Sequence, residues 1–232
     1  LDAIKRLLKN EYTTPYSDKH ISVQQFSDKL NPFGTYLPDS SGETLWVGCP
    51  LIVHRRCINP MFDISNRISY GGVMIQQTKE PDQKIVDIFA IPISKWLQCS
   101  GEEKNHIRKD HYVPEQGKET LDIIKLAFKK AKGEKPDLYV ISPFTSVVEG
   151  LKNEIRESDF YKLNKEYYNE WMESNIGTVH TFQGKEANEV VLLLGCDQDA
   201  KGAITWVNAN IINVAVTRAK YRLCIIGDYK DR

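Results

Sequence analysis

Several side chains in this sequence combine charge, hydroxyl groups or backbone freedom with turn-like surroundings. Arg55 and Arg56 follow the apolar run Leu51-Ile52-Val53, and Ser142, Phe144 and Thr145 follow Leu138-Tyr139-Val140-Ile141. Thr181, Gly184, Lys185 and Glu186 fall within Thr178-Val179-His180-Thr181-Phe182-Gln183-Gly184-Lys185-Glu186-Ala187. Arg218 lies in Asn213-Val214-Ala215-Val216-Thr217-Arg218-Ala219-Lys220, which begins 26 residues after Ala187. A guanidinium is a permanently charged planar fork, of the kind phosphoryl transfer needs where the leaving and transferred phosphates develop charge. Hydroxyls after a strand suit the phosphates of a single-stranded nucleic acid, with an aromatic such as Phe144 to stack or pack beside them. Gly184 permits close backbone approach to a ligand.

Each of these has a plainer reading. Taken alone, Arg218 is a surface arginine favoured by a helix C-terminus, Arg55 and Arg56 a solvated pair, and Gly184 a turn residue. Phe182 reads as core filler, and His54 and His180 as satisfied turn histidines. No Gly-rich loop ending in Lys-Ser/Thr is present: Gly117-Lys118-Glu119-Thr120 and Gly184-Lys185-Glu186 lack the upstream glycine and the preceding strand. Val191 to Asp197 reads as a core strand with a solvated Asp pair at its end. Pro81-Asp82 with Glu102-Glu103-Lys104 imitates a metal-dependent nuclease pattern, but both stretches are polar and turn-like. Cys99, His106 and His111 lack zinc spacing, so no metal site is expected.

The elements that position these residues follow from periodicity. A helix is expected from about Glu115 to Lys132, with Leu121, Ile124, Phe128 and Ala131 on one stripe and Gly133 just past its end. Leu138 to Ile141 reads as a buried strand, Val147, Val148, Leu151 and Ile155 as a second helix stripe, and Ser158 to Asn175 as a long polar insertion. A strand near Ile176 to His180, a Gly-containing turn, a strand at Val190 to Leu194, a helix from about Asn208 to Ala219 and a strand at Arg222 to Ile226 complete the alternation. Short all-apolar strands between helices predict a three-layer α/β fold with a mostly parallel sheet. Upstream, residues 45 to about 72 open this core, with a helical segment near Pro60 to Ile68 closed by Tyr70-Gly71-Gly72. Residues 1–44 read as a peripheral arm, with helix-like stretches at Asp2 to Lys9 and Asp18 to Leu30 and breakers from Pro15 to Gly42.

With 232 residues, 41% of them hydrophobic and 27% charged, the composition is that of an ordinary soluble globular protein. The apolar run Val190 to Cys196 is far shorter than the roughly 20 residues of a membrane span. Five cysteines (Cys49, Cys57, Cys99, Cys196, Cys224) without a framework pattern suit thiols in a reducing compartment, so a cytoplasmic location is expected. Lys+Arg and Asp+Glu balance at 31 each, so any nucleic-acid binding must come from a local groove. A start at Leu1 and a stop shortly after the last strand suggest a piece of something longer.

The blocks Thr178 to Ala187 and Asn213 to Lys220 together resemble motifs V and VI of superfamily 1 helicases. The likeness is greatest to the group containing the RNA-surveillance helicase and the Okazaki-fragment helicase-nuclease. Leu51 to Cys57, followed by Pro60, Asn66 and Tyr70-Gly71-Gly72, is similar to that family's Y-R-M block, with Arg56 on the family arginine and Arg55 where the family often has a base-stacking aromatic. Leu138 to Phe144 resembles its strand followed by T-P-Y. The resemblance runs from about Leu45 to Asp228 and leaves out residues 1–44 and the stretch from Phe160 to Trp171.

The resemblance implies a RecA-like second motor domain over 45–232, lacking its own phosphate loop. It implies ATP with Mg²⁺ in a cleft shared with an absent N-terminal motor domain of the same chain. Arg218 would be the arginine finger and Arg56 a second catalytic arginine, with Gly184, Lys185, Glu186 and Arg55 binding nucleotide. Glu186 would accept from ribose hydroxyls or orient a nearby arginine. Ser142, Phe144, Thr145 and Thr181 would touch a DNA or RNA single strand. The fragment alone is expected to be inactive. An adaptor module that keeps the fold without catalysis is the alternative.

Overall fold

The computed structural model describes residues 27, 28, 30–38, 43–48, 51–104, 110–197, 200, 203 and 207–229. The helix expected at Asp2 to Lys9, most of that at Asp18 to Leu30, and Cys49 and His106 lie outside the described residues; Ser27, Asp28 and Leu30 are helical. Two compact units divide the chain, Leu1–Ile52 and Val53–Arg232. In the first, strands β1 (Gly34–Pro38) and β2 (Thr44–Gly48) form an antiparallel pair in which Tyr36 faces Trp46, ring centroids 5.2 Å apart. Trp46 Nε1 donates to the Asp28 carbonyl at 2.9 Å.

The second unit runs β3 (Val53–His54), α1 (Met61–Ser69), β4 (Ile75–Gln76), α2 (Gln83–Asp87), β5 (Lys95–Gln98) and α3 (Pro114–Lys130). It continues with β6 (Leu138–Ser142), α4 (Thr145–Glu157), α5 (Asp159–Lys162), α6 (Lys165–Asn175), β7 (Ile176–Thr178), β8 (Ala187–Leu193), α7 (Ala209–Val216) and β9 (Ala219–Gly227). Five strands make one sheet, in the order β5-β9-β8-β6-β7, every neighbouring pair parallel. β3 and β4 form a small parallel pair of their own.

A strand turns successive side chains to opposite faces, so a continuous apolar run must be covered on both. In β8, Val191 and Leu193 enter one core with α3, α4 and α6, while Val190 and Leu192 enter a second with α1 and α7. β9 divides likewise: Cys224 and Ile226 go one way, Tyr221 and Leu223 the other. The sheet is therefore the middle of three layers, as the apolar runs within its strands require. α3 opens with Pro114, where a missing N–H costs nothing, and the chain leaves it through left-handed Lys132 and Gly133 at φ 51° and 101°.

Three expectations are corrected. Residues 158–175 are not a polar excursion: α5 and α6 fold there, and Trp171 and Met172 are buried. Phe160, Tyr168 and Trp171 stand around the Phe128 ring at centroid distances of 5.5, 5.0 and 5.0 Å. Asp197 is also not solvated; it is buried and accepts from the Glu103 N–H at 3.0 Å. The helix expected to reach Ala219 ends at Val216. Thr217 Oγ1 turns back to the Asn213 carbonyl at 2.8 Å, and Ala219 already pairs with Ala187 in the sheet. Among the described residues, no helix is long and apolar enough to cross a membrane.

Candidate functional site

Parallel pairing of β8 and β9 brings the two long sequence blocks side by side at the amino edge of the sheet. The Ala187 N–H donates to the Arg218 carbonyl, and the Ile58 N–H to the Lys220 carbonyl, both at 3.0 Å. Three segments far apart in sequence are thus bound by main-chain bonds before any side chain is counted. α1 is held to α7 by Ser65 Oγ, which donates to Asn213 Oδ1 at 2.6 Å. Asn66 fixes the turn beyond α1, accepting from the Met74 N–H at 3.0 Å and donating to its carbonyl at 3.2 Å.

On this frame Arg56 and Arg218 converge on one oxygen. Arg56 Nη2 donates to the Lys185 carbonyl at 2.7 Å and Arg218 Nη1 to the same carbonyl at 2.9 Å. Arg218 Nε also donates to the Val214 carbonyl at 3.1 Å, fixing the plane of its fork. Far from being a surface group, Arg218 is only 5% exposed. Its burial, and then the Arg56 charge, lower its pKa from the ordinary arginine value. Arg56 Nε is buried without a hydrogen-bond partner, 4.0 Å from Glu186 Oε2.

His54 completes this corner as a packed residue. Its Nε2 accepts from the Cys57 N–H at 3.1 Å, and burial, then Arg56, lower its pKa. Burial pushes the Cys57 thiol up to about 12. Gly184 sits at φ +84°, the left-handed region, with no heavy atom near the place of a Cβ. Lys185 and Glu186 are exposed, the Lys185 ammonium 5.7 Å from the Phe182 ring centre. Phe182 is fully buried, its ring 4.4 Å from that of Tyr139, and so packs rather than stacks on a ligand. Arg55 stands apart from the shared carbonyl; it is exposed and donates to Gln77 Oε1 at 3.3 Å.

The hydroxyl residues lie at the opposite, carboxyl edge. Ser142 ends β6, is buried, and its Oγ accepts from the Phe144 N–H at 3.2 Å. Thr145 is the exposed first residue of α4. Thr181 is exposed, with its Oγ1 3.2 Å from Thr178 Oγ1. The block Thr178 to Ala187 therefore crosses the sheet from the end of β7 to the start of β8, linking the hydroxyl edge to the arginine edge. Sequence reasoning missed Thr178 and the Lys185 carbonyl; a main-chain acceptor leaves no residue-type signal.

A three-layer parallel sheet with paired arginines at one edge and hydroxyls at the other now has its family context. A family model described as an AAA domain matches residues 49–230; the chain belongs to that family and is the C-terminal RecA-like domain of a superfamily 1 helicase. "Regulator of nonsense transcripts 1" of Dictyostelium discoideum is 22% identical over 184 residues, covering 78% of this chain and 13% of that protein. The "Regulator of nonsense transcripts 1 homolog" of Neurospora crassa is 29% identical over 139 residues, 60% of this chain and 12% of that protein. The chain thus spans about an eighth of the length of these relatives. A crystal structure of the C-terminal domain of a possible DNA helicase from Lactobacillus plantarum aligns with a TM-score of 0.37 at 8% identity, over 66% of this chain and 88% of that one.

Proposed function

We propose that this domain forms one wall of an ATP cleft, and half of a single-strand track, in an ATP-dependent helicase. The other wall, with the phosphate loop, comes from an N-terminal motor domain of the same chain. The observation that carries the reading is the convergence of Arg56 and Arg218 on the Lys185 carbonyl. Two like charges gathered beside one neutral acceptor, one of them with an unsatisfied Nε, suit a polyanion.

When nucleotide enters, Arg218 and Arg56 exchange that carbonyl for phosphate oxygens. Arg218 serves as the arginine finger, a role worth about 10³-fold or more in rate. Glu186 orients Arg56, which its 4.0 Å approach supports. Gly184 and Lys185 bring main chain and charge to the nucleotide, and Arg55 stacks from the side on the base. Mg²⁺ is held by the partner motor domain, since Glu186 is the one carboxylate among the residues assigned to the cleft and it faces Arg56. Ser142, Phe144, Thr145 and Thr181 follow the backbone of a DNA or RNA strand at the other edge.

The test is Arg218→Ala in the protein with both motor domains. ATP turnover falls to background while single-strand affinity stays within a few-fold. Undiminished turnover would remove Arg218 from the reaction. No turnover in the unaltered protein either would leave the adaptor reading.

A further inference from the structure

Away from the arginines, at the carboxyl end of β8, Glu103, His111 and Cys196 place an oxygen, a nitrogen and a sulfur within 4.8 Å of one another. We propose that these three residues form a binding site for a zinc-class divalent ion. A mixed carboxylate, imidazole and thiolate set suits a borderline-soft ion such as Zn²⁺ and does not suit Mg²⁺ or Ca²⁺. Donors of a tetrahedral zinc lie about 3.3–3.8 Å apart, so the widest present spacing contracts by about 1–1.5 Å while the Glu103–His111 pair, now 2.8 Å apart, opens by about 0.5 Å.

The surroundings are those of a built site. Glu103 and Cys196 are 5% and 7% exposed. Glu103 Oε1 and His111 Nδ1 are hydrogen-bonded at 2.8 Å, a contact that holds both donor atoms at the site and that the ion replaces. Asp197 Oδ2 accepts the Glu103 N–H at 3.0 Å, the Cys196 N–H donates to the His111 carbonyl at 2.7 Å, and Gln116 Oε1 accepts from Gly195 at 3.0 Å, so the main chain carrying the donors is fixed. His111 and Cys196 both hold left-handed backbone, φ 57° and 63°, uncommon for residues with side chains and concentrated at functional positions. A cavity of about 270 Å³ has Gly195, Cys196 and Phe144 in its wall and so reaches the residue that carries the sulfur donor.

Three protein donors leave the fourth position to water. Binding releases the thiol proton of Cys196 to solvent as the sulfur–metal bond forms, and the proton between Glu103 Oε1 and His111 Nδ1 leaves for His111 Nε2 or solvent. The ion fastens the segment carrying Glu103 and His111 to the end of β8, beside Phe144, whose ring centroid is 4.9 Å from that of His111. The donors stand 8 and 85 residues apart in sequence, which is why local spacing argued against a metal.

The chain, stripped with chelator and desalted, is titrated with Co²⁺ and Zn²⁺. One equivalent of Co²⁺ gives a thiolate-to-metal absorption band, Zn²⁺ displaces it, and Zn²⁺ raises Tm where Mg²⁺ does not. Cys196→Ser abolishes the band, and Glu103→Gln and His111→Ala each weaken Zn²⁺ at least tenfold. Should Cys196→Ser fail to fold, alkylation of the unaltered chain, read by peptide mass, shows Cys196 protected by Zn²⁺. No band, a band that survives in folded Cys196→Ser, unchanged affinity in both other variants, or no protection of Cys196 each overturns the site.

Discussion

Arg218 does structural work that a change of cation would expose. Its Nε and Nη1 reach two different carbonyls, of Val214 and Lys185, and an ammonium cannot reproduce that fork. Both carbonyls keep a second donor, Arg56 Nη2 on Lys185 and Thr217 Oγ1 on Val214, so Arg218→Lys is expected to destabilise the chain by about 1–3 kcal/mol through the loss of a charge-assisted hydrogen bond, measured by urea unfolding. Gly184→Ala, at φ +84° with open space around it, carries only the left-handed backbone cost of about 1–2 kcal/mol. That Arg218 falls with Arg56 and Lys185 was expected from the sequence, because it sits in a long block whose neighbours also match, and the structure brings the three together. Its burial was not legible: an isolated arginine at a helix end is ordinarily exposed, whereas this one has its carbonyl bonded by the Ala187 N–H and its guanidinium by the Val214 and Lys185 carbonyls.

At the scale of elements, legibility tracked burial on both faces. β6, β8 and β9 contain the apolar runs Leu138 to Ile141, Val190 to Leu193 and Leu223 to Ile226 and read directly, whereas β5 is a four-residue edge strand with exposed Trp96 and gives no such run. α6 hid for a different reason: Tyr167, Tyr168 and Trp171 are spread among charged residues, so the segment averages polar while one side of it is aromatic. Trp171 binds this helix to the rest, packing on Phe128 and donating from Nε1 to the Pro136 carbonyl at 3.0 Å. Trp171→Ala is therefore expected to cost about 3–5 kcal/mol, seen as a lower urea midpoint. If α6 were a dispensable surface insertion, the same change would move the midpoint little.

The stability of the molecule as a whole should carry the mark of one buried carboxylate. Glu189 enters the central strand β8 near the arginine edge and accepts from the Ile91 and Ala90 N–H groups at 2.6 and 3.0 Å. Burial raises its pKa to about 7 against the bonds that favour the charge. Because the folded value lies above the ordinary 4.5, the native state holds this proton more tightly than the unfolded chain. Its stabilising contribution is therefore complete below about pH 4.5 and is lost as pH rises through about 7. Glu189→Gln mimics the protonated form and cannot lose a proton. Unfolding of both proteins from pH 4.5 to 8 isolates the effect from every other titrating group. The stability of the unaltered chain relative to Glu189→Gln should decline by on the order of a few kcal/mol over that range. A difference that stays flat, or grows with pH, would mean that the two N–H bonds outweigh burial and keep Glu189 ionised throughout.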